Sequence, residues 1–368
     1  MKRHAYFFRI GEFSLINDAV LLGLRTEFPE LELRAIDVER DIVGGDLSLQ
    51  LRATVEAVFR YGSRIAVDRH PPRDFFPRLP SVIEATRRWV GKHVDPDGTA
   101  FIFQTQSLFD ARHPRLPHFL YTDHTYLANL RYPQPKPLLP VPEAWRQMEH
   151  DLYARADRNF VSSGFAAESL REDYAVSDER VEVVFSGCNV AGSVSNAAAR
   201  PGRVILFVGV DWERKGGPEL VTAFRRIRSS IPDAELWVVG CSPALDEPGV
   251  RIFGRIPPEK VAECYSVADV FCLPSRMDPS ASVLAEAAAY ELPVVATPVG
   301  GNLERVQDGV TGYLCEPDSL AERIIGLLRD DALRLEMGHA GSRMARERFT
   351  WEAVCGRMAA SMRRTLEQ

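Results

Sequence analysis

Short apolar runs alternate with helical patterns along this whole 368-residue chain, and this alternation limits the folds open to it. Strands that are apolar throughout occur in parallel sheets with helices on both faces, so the sequence predicts an α/β fold. The predicted strands are residues 5–10, 64–67, 100–103, 119–122, 159–161, 181–185, 204–209, 235–240, 250–253, 270–273, 294–297 and 312–314. The predicted helices include residues 218–230, 258–267, 282–290 and 319–328.

The stretch 190–202 separates two halves, because it is rich in Ala, Ser, Asn and Gly and lacks periodicity. The chain is long enough for two domains, each with its own core. We therefore expect two Rossmann-like domains, residues 1–193 and 200–349, whose parallel sheets face each other across a cleft. Residues 350–368 are predicted to add a final helix that begins after an N-cap at Thr350.

Charge and cysteine usage restrict the partners and the compartment. The formal net charge is −6, without the basic surplus of most nucleic-acid binders, so we expect no nucleic-acid partner. The six cysteines form no C-x-x-C pair, which is typical of reduced thiols in a cytoplasmic protein. Arg9 interrupts the first apolar stretch and no run of about 18 apolar residues exists, so neither a signal peptide nor a membrane span is expected.

Two carboxylates, Asp278 and Glu286, flank the start of the predicted helix 282–290. A carboxylate accepts two hydroxyl hydrogen bonds at once, which suits vicinal diols, and the N–H groups of a helix start bind phosphates. This arrangement outlines a nucleotide-sugar site. The alternative is an exposed loop aspartate and a glutamate on a helix face.

A turn with glycines and cations follows the predicted strand 204–209 and runs through Arg214 and Lys215. Its glycines, Gly209 among them, let the backbone approach a ligand, and its two cations would neutralise a diphosphate without a metal. The alternative is a surface turn with solvated charges. Further along the chain, Gly300-Gly301 offers N–H groups to phosphate or sugar or forms a plain tight turn. Glu304 would then cap the next helical turn.

The first half contributes Asp123 and His124, directly after a predicted strand. Loops after parallel strands face the ligand crevice, where this pair would position an acceptor hydroxyl or donate to a sugar oxygen. A structural histidine is the alternative. Gly11, at the first strand-to-helix turn, permits close approach of the donor phosphates or of the acceptor, although no G-x-G-x-x-G is present. Asp95-Pro-Asp97 fits a turn, so we assign no metal and no cofactor.

Together these segments resemble the GT-B glycosyltransferases of the large retaining E-x7-E family, glycosyltransferase family 4. Residues 207–216 are similar to its diphosphate-binding turn, Asp278 to Glu286 to its paired acids, and residues 293–304 to the stretch that follows. Residues 250–256 resemble its nucleobase-binding strand and loop. Segments that begin at Glu149 and at Ser186 are similar to further motifs of the family, and the resemblance before residue 115 is faint.

The resemblance implies a role for each matching residue. Lys215 would bind the donor diphosphate, Glu286 the ribose hydroxyls and Asp278 the transferred sugar, while His124 would lie near the anomeric centre. Further donor contacts would come from Gly11, Gly209, Arg214, Gly254, Arg255, Ile256, Ser282 and Val283, and acceptor contacts from Asp123 and His124. The C-terminal helix would return to the first domain.

Three positions depart from the family pattern. Val210 replaces an arginine, so Arg214 would have to supply the second cation. Asp278 is one methylene shorter than the usual glutamate, and Ser280-Ala281 replaces Phe-Gly.

The expected function is transfer of a sugar from a nucleotide-diphosphate donor such as a UDP-sugar or GDP-sugar to an acceptor hydroxyl, with retention and without metal. Two alternatives are a catalytically weak nucleotide-sugar-binding partner subunit of an active glycosyltransferase and an epimerase that acts on the nucleotide sugar. The acceptor class stays open among carbohydrate, lipid-linked and small-molecule acceptors, as does the oligomeric state. Arg87-Arg-Trp89 fits either peripheral contact with the inner face of a membrane or a solvated helix face.

Overall fold

Two parallel sheets form the framework of the protein. The computed structural model describes residues 3–11, 15–69, 71–132, 141–190 and 202–367. Within these residues each sheet has six strands, and all neighbouring strands run parallel. The predicted α/β class is therefore confirmed.

The first sheet has the strand order β2-β1-β3-β4-β5-β6. Its strands are β1 (His4–Arg9), β2 (Glu32–Asp37), β3 (Thr99–Thr105), β4 (His118–Thr122), β5 (Arg158–Val161) and β6 (Val181–Val183). The helices of this half are α1 (Ile16–Glu27), α2 (Leu47–Asp68), α3 (Pro80–His93), α4 (Tyr126–Leu130), α5 (Glu143–Arg155) and α6 (Gly164–Glu172). A π-helical segment covers Val38–Val43, and short 3₁₀ segments cover Pro72–Arg78 and Asp178–Arg180.

The second sheet has the order β12-β11-β10-β7-β8-β9. Its strands are β7 (Val204–Val208), β8 (Glu235–Val239), β9 (Val250–Gly254), β10 (Val270–Leu273), β11 (Val294–Ala296) and β12 (Gly312–Leu314). The remaining helices are α7 (Gly217–Ser230), α8 (Pro258–Val267), α9 (Ser282–Ala289), α10 (Asn302–Arg305), α11 (Leu320–Arg329), α12 (Asp331–Arg348) and α13 (Trp351–Leu366), with a 3₁₀ turn at Pro317–Ser319. Strands β7 and β10 are buried along their whole length, as expected for central strands covered by helices on both faces.

One predicted strand is wrong and one real strand was missed. Residues 64–67 belong to the end of helix α2, which begins after Asp46, whose side chain accepts hydrogen bonds from the N–H groups of Ser48 and Leu49. Strand β2 lies at the edge of its sheet, and its exposed positions carry charged side chains. It therefore lacks the continuous apolar run that marks the central strands.

The C-terminal helix α13 packs against the first half. Its Val354, Met358 and Met362 share a buried cluster with Phe7 of β1, and Thr350 caps the helix by accepting a hydrogen bond from the N–H of Ala353 (3.1 Å). Residues 191–201 and the proline-rich stretch 133–140 lie outside the described residues. The domain limits 1–193, 200–349 and 350–368 therefore stay a prediction.

The six cysteines are free thiols, and four of them are buried. In the part of the chain that the structure describes, no helix is long and apolar enough to cross a membrane.

Candidate active site

The strand order of each sheet reverses once, between β1 and β3 in the first sheet and between β7 and β10 in the second. In open parallel sheets, ligands bind outside the carboxyl ends of the strands at such a reversal, because the chain leaves the two strands toward opposite faces and a crevice opens between the loops. The loops after these four strands therefore define the candidate site.

In the second half, the turn after β7 presses against the loop after β10. Gly216 has a φ of +76°, and a Cβ there would overlap the carbonyl oxygen of Pro274. Gly217 has equally little room, because a Cβ on it would overlap the ring of Trp212. Gly216 thus lets the backbone beside Lys215 lie directly on the end of β10, and Gly217 leaves room for the Trp212 ring of the same turn.

This contact brings two cations to Asp278. The ammonium of Lys215 forms an ion pair with the Asp278 carboxylate, and both side chains are nearly buried. The Arg214 guanidinium lies 3.8 Å from the same carboxylate and donates to the carbonyl of Met277 (3.0 Å). Ser275 donates its hydroxyl to Asp278 (3.4 Å). Arg214 therefore lies beside Asp278 together with Lys215. Val210, which replaces the arginine of the family pattern, is exposed.

Helix α9 begins beside this cluster with Ser282 and Val283 in its first turn. Its N-cap is Ala281, which provides no side-chain acceptor for the first-turn N–H groups. Such groups have no acceptor within the helix, and the positive end of the helix dipole adds to their attraction for anions. The helix start is therefore suited to bind a phosphate next to Lys215.

Glu286 lies one turn further along α9, and only 4% of it is exposed. Its carboxylate accepts hydrogen bonds from the N–H of Asn189 (3.2 Å) and from the hydroxyl of Tyr265 (3.1 Å). Burial raises the pKa of Glu286 above its usual value, although these two donors act in the opposite direction. No hydrogen bond or ion pair joins Glu286 to Lys215 within the described residues. Glu286 lies on α9 itself, whereas Lys215 pairs with Asp278 just before the helix.

A cavity of about 510 Å³ lies beside the turn after β7 and is the candidate nucleobase pocket. It is lined by Val210, Trp212, Gly240, Cys241, Ser242, Pro243 and Arg255. Gly254, with a φ of +66°, shapes its wall, since a Cβ there would come within 2.9 Å of the Ser242 hydroxyl oxygen. Ile256 packs against the core instead, so of the three residues predicted to hold the base only Arg255 lines the cavity.

The double glycine after β11 binds the Asp278 loop. Gly301 donates its N–H to the carbonyls of Asp278 (3.3 Å) and Pro279 (3.0 Å), so this N–H is not directed to a phosphate or sugar. Glu304 does not cap its own helical turn. It accepts from the N–H of Gly164 (2.7 Å) at the start of α6, so that it joins the two halves.

In the first half, a cavity of about 310 Å³ brings together Gly11, Asp123 and His124 at the end of β1, β3 and β4. Asp123 accepts a hydrogen bond from Nδ1 of His124 (2.8 Å). Burial by itself would lower the pKa of His124, but the charge and hydrogen bond of Asp123 outweigh it and raise this pKa. Gly11, which is predicted to approach the donor phosphates or the acceptor, lines the same cavity as the predicted acceptor residues.

Among the described residues, no group of three or more His, Cys, Asp or Glu side chains is placed to hold a metal ion. Asp95 accepts from the N–H of Asp97 (3.1 Å), as expected for the predicted turn.

Sequence profiles of two families match this chain. The profile described as "Glycosyltransferase Family 4" matches residues 32–191, and the one described as "Glycosyl transferases group 1" matches residues 202–330. The two ranges together cover more than half of the chain. The chain belongs to glycosyltransferase family 4.

Relatives of this family 4 member include two bacterial enzymes. The chain is 31% identical over 246 residues to the D-inositol 3-phosphate glycosyltransferase of Corynebacterium kroppenstedtii, a match that covers 58% of this chain and 54% of that protein. It is 31% identical over 234 residues to the alpha-maltose-1-phosphate synthase of Mycobacterium tuberculosis, covering 53% and 59%. The chain thus spans less than two thirds of either relative.

Solved structures share the fold of this family 4 chain. Sucrose-phosphate synthase from Thermosynechococcus elongatus superposes with a TM-score of 0.64 at 24% identity, covering 81% of this chain and 80% of that one. Anabaena Alr3699/HepE in complex with UDP-glucose superposes with a TM-score of 0.66 at 15% identity, covering 98% and 100%. The predicted GT-B fold is confirmed.

Two residues of the first-half cavity of this family 4 member were not identified as site residues. The sequence marks Glu149 only through the family resemblance and does not mark Arg78. Glu149 is buried and accepts from the hydroxyls of Ser107 (2.8 Å) and Tyr174 and from the N–H of Tyr126 (3.3 Å). An acidic residue inside a helix and an arginine directly after a proline carry no local signal that distinguishes them from surface charges.

Proposed function

We propose that this protein transfers a sugar from a nucleoside-diphosphate donor to an acceptor hydroxyl. The observation that carries this proposal is the convergence of Lys215 and Arg214 on Asp278 beside the start of α9, at the strand-order reversal of the second sheet. Fixed cations next to a helix start suit a ligand that carries two phosphates.

Each part of the donor is assigned to a group of residues in the second half. The base would enter the pocket at Arg255, and the diphosphate would lie between Lys215 and the first turn of α9. Glu286 would accept hydrogen bonds from the ribose hydroxyls, and Asp278 would contact the transferred sugar. These four roles rest on the placement of the side chains and on the family pattern.

The chemistry follows from where charge develops. As the bond between the anomeric carbon and the diphosphate breaks, negative charge grows on the leaving phosphate, and Lys215, Arg214 and the α9 dipole stabilise it. The acceptor hydroxyl attacks the oxocarbenium-like sugar on the face that the leaving group vacates, and its proton passes to the departing phosphate oxygen. The product then retains the anomeric configuration of the donor. His124 would orient the acceptor on the opposite side of the cleft.

The first experiment is a donor panel. The protein is incubated with UDP- and GDP-sugars, and release of free nucleoside diphosphate is measured with and without candidate acceptors. Lys215→Ala and Glu286→Ala should each lower release by orders of magnitude while the fold is retained. Transfer at the wild-type rate by both variants would refute the site assignment. Binding of a donor without turnover on any acceptor would favour the silent partner subunit instead.

Retention and metal independence need their own measurements. Proton NMR of the first-formed product gives its anomeric configuration, and an inverted product would contradict the assignment of a front-face reaction. Turnover should persist after the divalent ions are removed with EDTA, because the two cations of the β7 turn supply the positive charge. Loss of turnover that Mg²⁺ or Mn²⁺ restores would overturn that part of the proposal.

Peripheral membrane contact is the remaining part of the expected function, and it would have to use a surface other than Arg87-Arg-Trp89. The Trp89 ring packs edge-on against Phe8 and Tyr6 in the core and is not available for insertion. Helix α2, in contrast, exposes apolar side chains on its outer face, and Phe59 is 91% exposed. The other members of this face are Leu47, Leu51, Val55 and Val58.

Co-sedimentation with vesicles that contain phosphatidylglycerol tests this surface. Phe59→Ser should weaken vesicle binding, whereas Leu22→Ser, at a similarly exposed apolar position on α1, should not. Equal behaviour of the two variants, or no binding by the wild type, would exclude α2 as a membrane contact.

A further inference from the structure

Arg305 is a cation that the protein buries almost completely, with 1% of the residue exposed. It is the last residue of the short helix α10, which follows the double glycine after β11. Within the described residues, no ion pair joins it to a carboxylate. A charge that is removed from water costs free energy unless other contacts compensate it, and arginine is rarely buried without a partner. The remaining contacts of Arg305 must therefore supply this compensation.

The guanidinium of Arg305 binds one serine from each half of the protein. It donates to the carbonyl oxygen of Ser186 (3.0 Å) and to the hydroxyl of the same residue (2.6 Å), shortly after β6 of the first sheet. It also donates to the hydroxyl of Ser280 (2.9 Å), which lies in the Asp278 loop, residues 274–281 between β10 and α9. Its central carbon lies 4.4 Å from the centre of the Phe349 ring, where a cation is attracted to the aromatic face.

Ser280 extends this contact to the loop of the predicted acceptor residues. Its hydroxyl donates to the carbonyl of Ser162 (3.2 Å), directly after β5. The hydroxyl of Ser162 in turn donates to the carbonyl of Asp123 (3.0 Å), next to His124. A continuous series of hydrogen bonds and covalent bonds thus joins Arg305 and the Asp278 loop to the loop of Asp123 and His124.

This series gives a partner to one position that departs from the family pattern. Ser280 stands where the family has a phenylalanine, and its hydroxyl accepts from Arg305 and donates to Ser162. A phenyl ring in this place could do neither. Asp278, two residues earlier, is one methylene shorter than the usual glutamate. A shorter side chain has less freedom to correct a displacement of its own loop, so the position of the loop matters more here.

We propose that Arg305 is a positioning residue for sugar transfer, which holds the Asp278 loop in register with Asp123 and His124 across the cleft. Asp278 then meets the transferred sugar opposite the acceptor. Arg305 acts through Ser280 and makes no contact with a reacting group. This inference rests on the proposed function, because it adds a residue to the same reaction.

The Asp278 loop has further contacts, so loss of Arg305 should loosen it rather than unfold the domain. Tyr132 donates its hydroxyl to the carbonyl of Asp278 (3.1 Å), and Gly301 donates its N–H to the same carbonyl. These contacts do not involve Arg305. The variant Arg305→Met is therefore expected to keep the fold while the loop opens more often.

Hydrogen exchange of the ligand-free full chain, followed by mass spectrometry, measures this opening without any substrate. Arg305→Met should raise the exchange of residues 274–281 about 10- to 100-fold, because hydrogen bonds from a charged group are lost. Arg334→Met is the matched control. Arg334 is also a buried arginine of the second half, and it donates to the carbonyl of Leu327 (2.9 Å) away from the loop. Its loss should lower the free energy of unfolding but leave exchange of the loop unchanged.

Comparison of binding with turnover separates positioning from a general structural role. In Arg305→Met, kcat for transfer should fall about 10- to 100-fold, as expected when a contact to the reacting sugar is misplaced by about 1 Å. The affinities of UDP and GDP should stay unchanged, because Lys215 and the start of α9 are not touched. Burial raises the pKa of Glu286 and the charge of Arg305 opposes this, so the affinities are measured at pH 8, where a further rise does not protonate the carboxylate.

Two further variants connect the effect to the hydrogen bonds of the guanidinium. Arg305→Lys should recover part of the lost kcat, because lysine keeps the charge without the fork that reaches both serines. Ser280→Ala should lower kcat in the wild type but have little additional effect in Arg305→Met, since residues that act through one contact are not additive.

Three results would overturn the inference. They are unchanged exchange of residues 274–281 in Arg305→Met, a loss of nucleotide affinity as large as the loss of kcat, and effects of Arg305→Met and Ser280→Ala that multiply in the double variant. Failure of the proposed function appears differently, as a wild type that neither binds UDP or GDP nor turns over a donor. The exchange measurement then still shows whether Arg305 holds the loop.

Discussion

Replacement of Lys215 by methionine removes the ammonium that pairs with Asp278 while it keeps the length of the side chain. Both partners are nearly buried, with 11% and 5% of their side chains exposed, so the charge acts in a site that is largely shielded from water. A preorganised donor that meets developing negative charge in such a site contributes about 2.7–4 kcal/mol to transition-state stabilisation. Turnover should therefore fall about 100- to 1,000-fold.

The same change also has a cost in stability, which must be separated from the loss of turnover. Removal of one partner of a buried ion pair costs about 3–5 kcal/mol when the other charge is left alone. Asp278 is not left alone, because Arg214 stays 3.8 Å away and Ser275 donates a hydrogen bond. We therefore expect Lys215→Met to lower the free energy of unfolding by roughly 1–3 kcal/mol.

The double variant Lys215→Met/Asp278→Asn separates the two effects. It removes both charges of the pair, so it should regain most of the lost free energy of unfolding in urea titrations, while nucleoside-diphosphate release stays low. Lys260→Met, which removes an exposed lysine paired with Glu263 on α8, is the control and should change neither quantity. Recovery of turnover by the double variant would show that Lys215 acts only through Asp278 and refute its role at the diphosphate.

Three further predictions concern single side chains. Glu286→Gln should weaken UDP binding about 10- to 100-fold in calorimetry, and because the pKa of Glu286 is raised, wild-type affinity should fall with decreasing pH earlier than for an ordinary glutamate; pH-independent affinity would contradict this. Asp123→Asn should lower the pKa of His124 in an NMR titration, since the Asp123 carboxylate raises it; an unchanged pKa would place the cause elsewhere. Gly216→Ala should lower the free energy of unfolding by more than about 2 kcal/mol, because the added Cβ overlaps a carbonyl oxygen at positive φ, whereas Gly326→Ala, at an exposed position of helix α11, should raise it by about 0.5–1 kcal/mol.

The fold was predictable where burial leaves a simple pattern. Strands such as β7 and β10 are covered on both faces, so their residues are apolar throughout and the run stands out from its surroundings. Strand β2 is covered less completely and carries charges, while the run 64–67 looks like a strand although it ends a long helix. A short apolar run does not reveal whether its neighbours along the chain or across the sheet determine its conformation.

The donor side of the site was predictable for a related reason. Lys215 and Asp278 lie far apart in sequence, but each follows directly on a central strand, and the carboxyl ends of neighbouring parallel strands lie together. The sequence position of a residue just after such a strand therefore largely determines where it lies in the fold. The contact of Glu304 was not predictable in this way. Its partner is the N–H of Gly164 in the other half, and no sequence pattern near Glu304 indicates that contact.

The two halves of the candidate site differ in how their positions are specified. The donor side depends on close backbone contacts at Gly216 and Gly301, where any side chain would overlap a neighbouring atom. Such contacts restrict the residue type locally. The first-half cavity is lined by side chains such as Arg78, His124 and Glu149, which come from separate elements and can be exchanged without strain in the backbone. Under the proposed assignment of donor and acceptor, a change of acceptor therefore needs only side-chain substitutions in the first half, whereas a change of donor must preserve the backbone of the second.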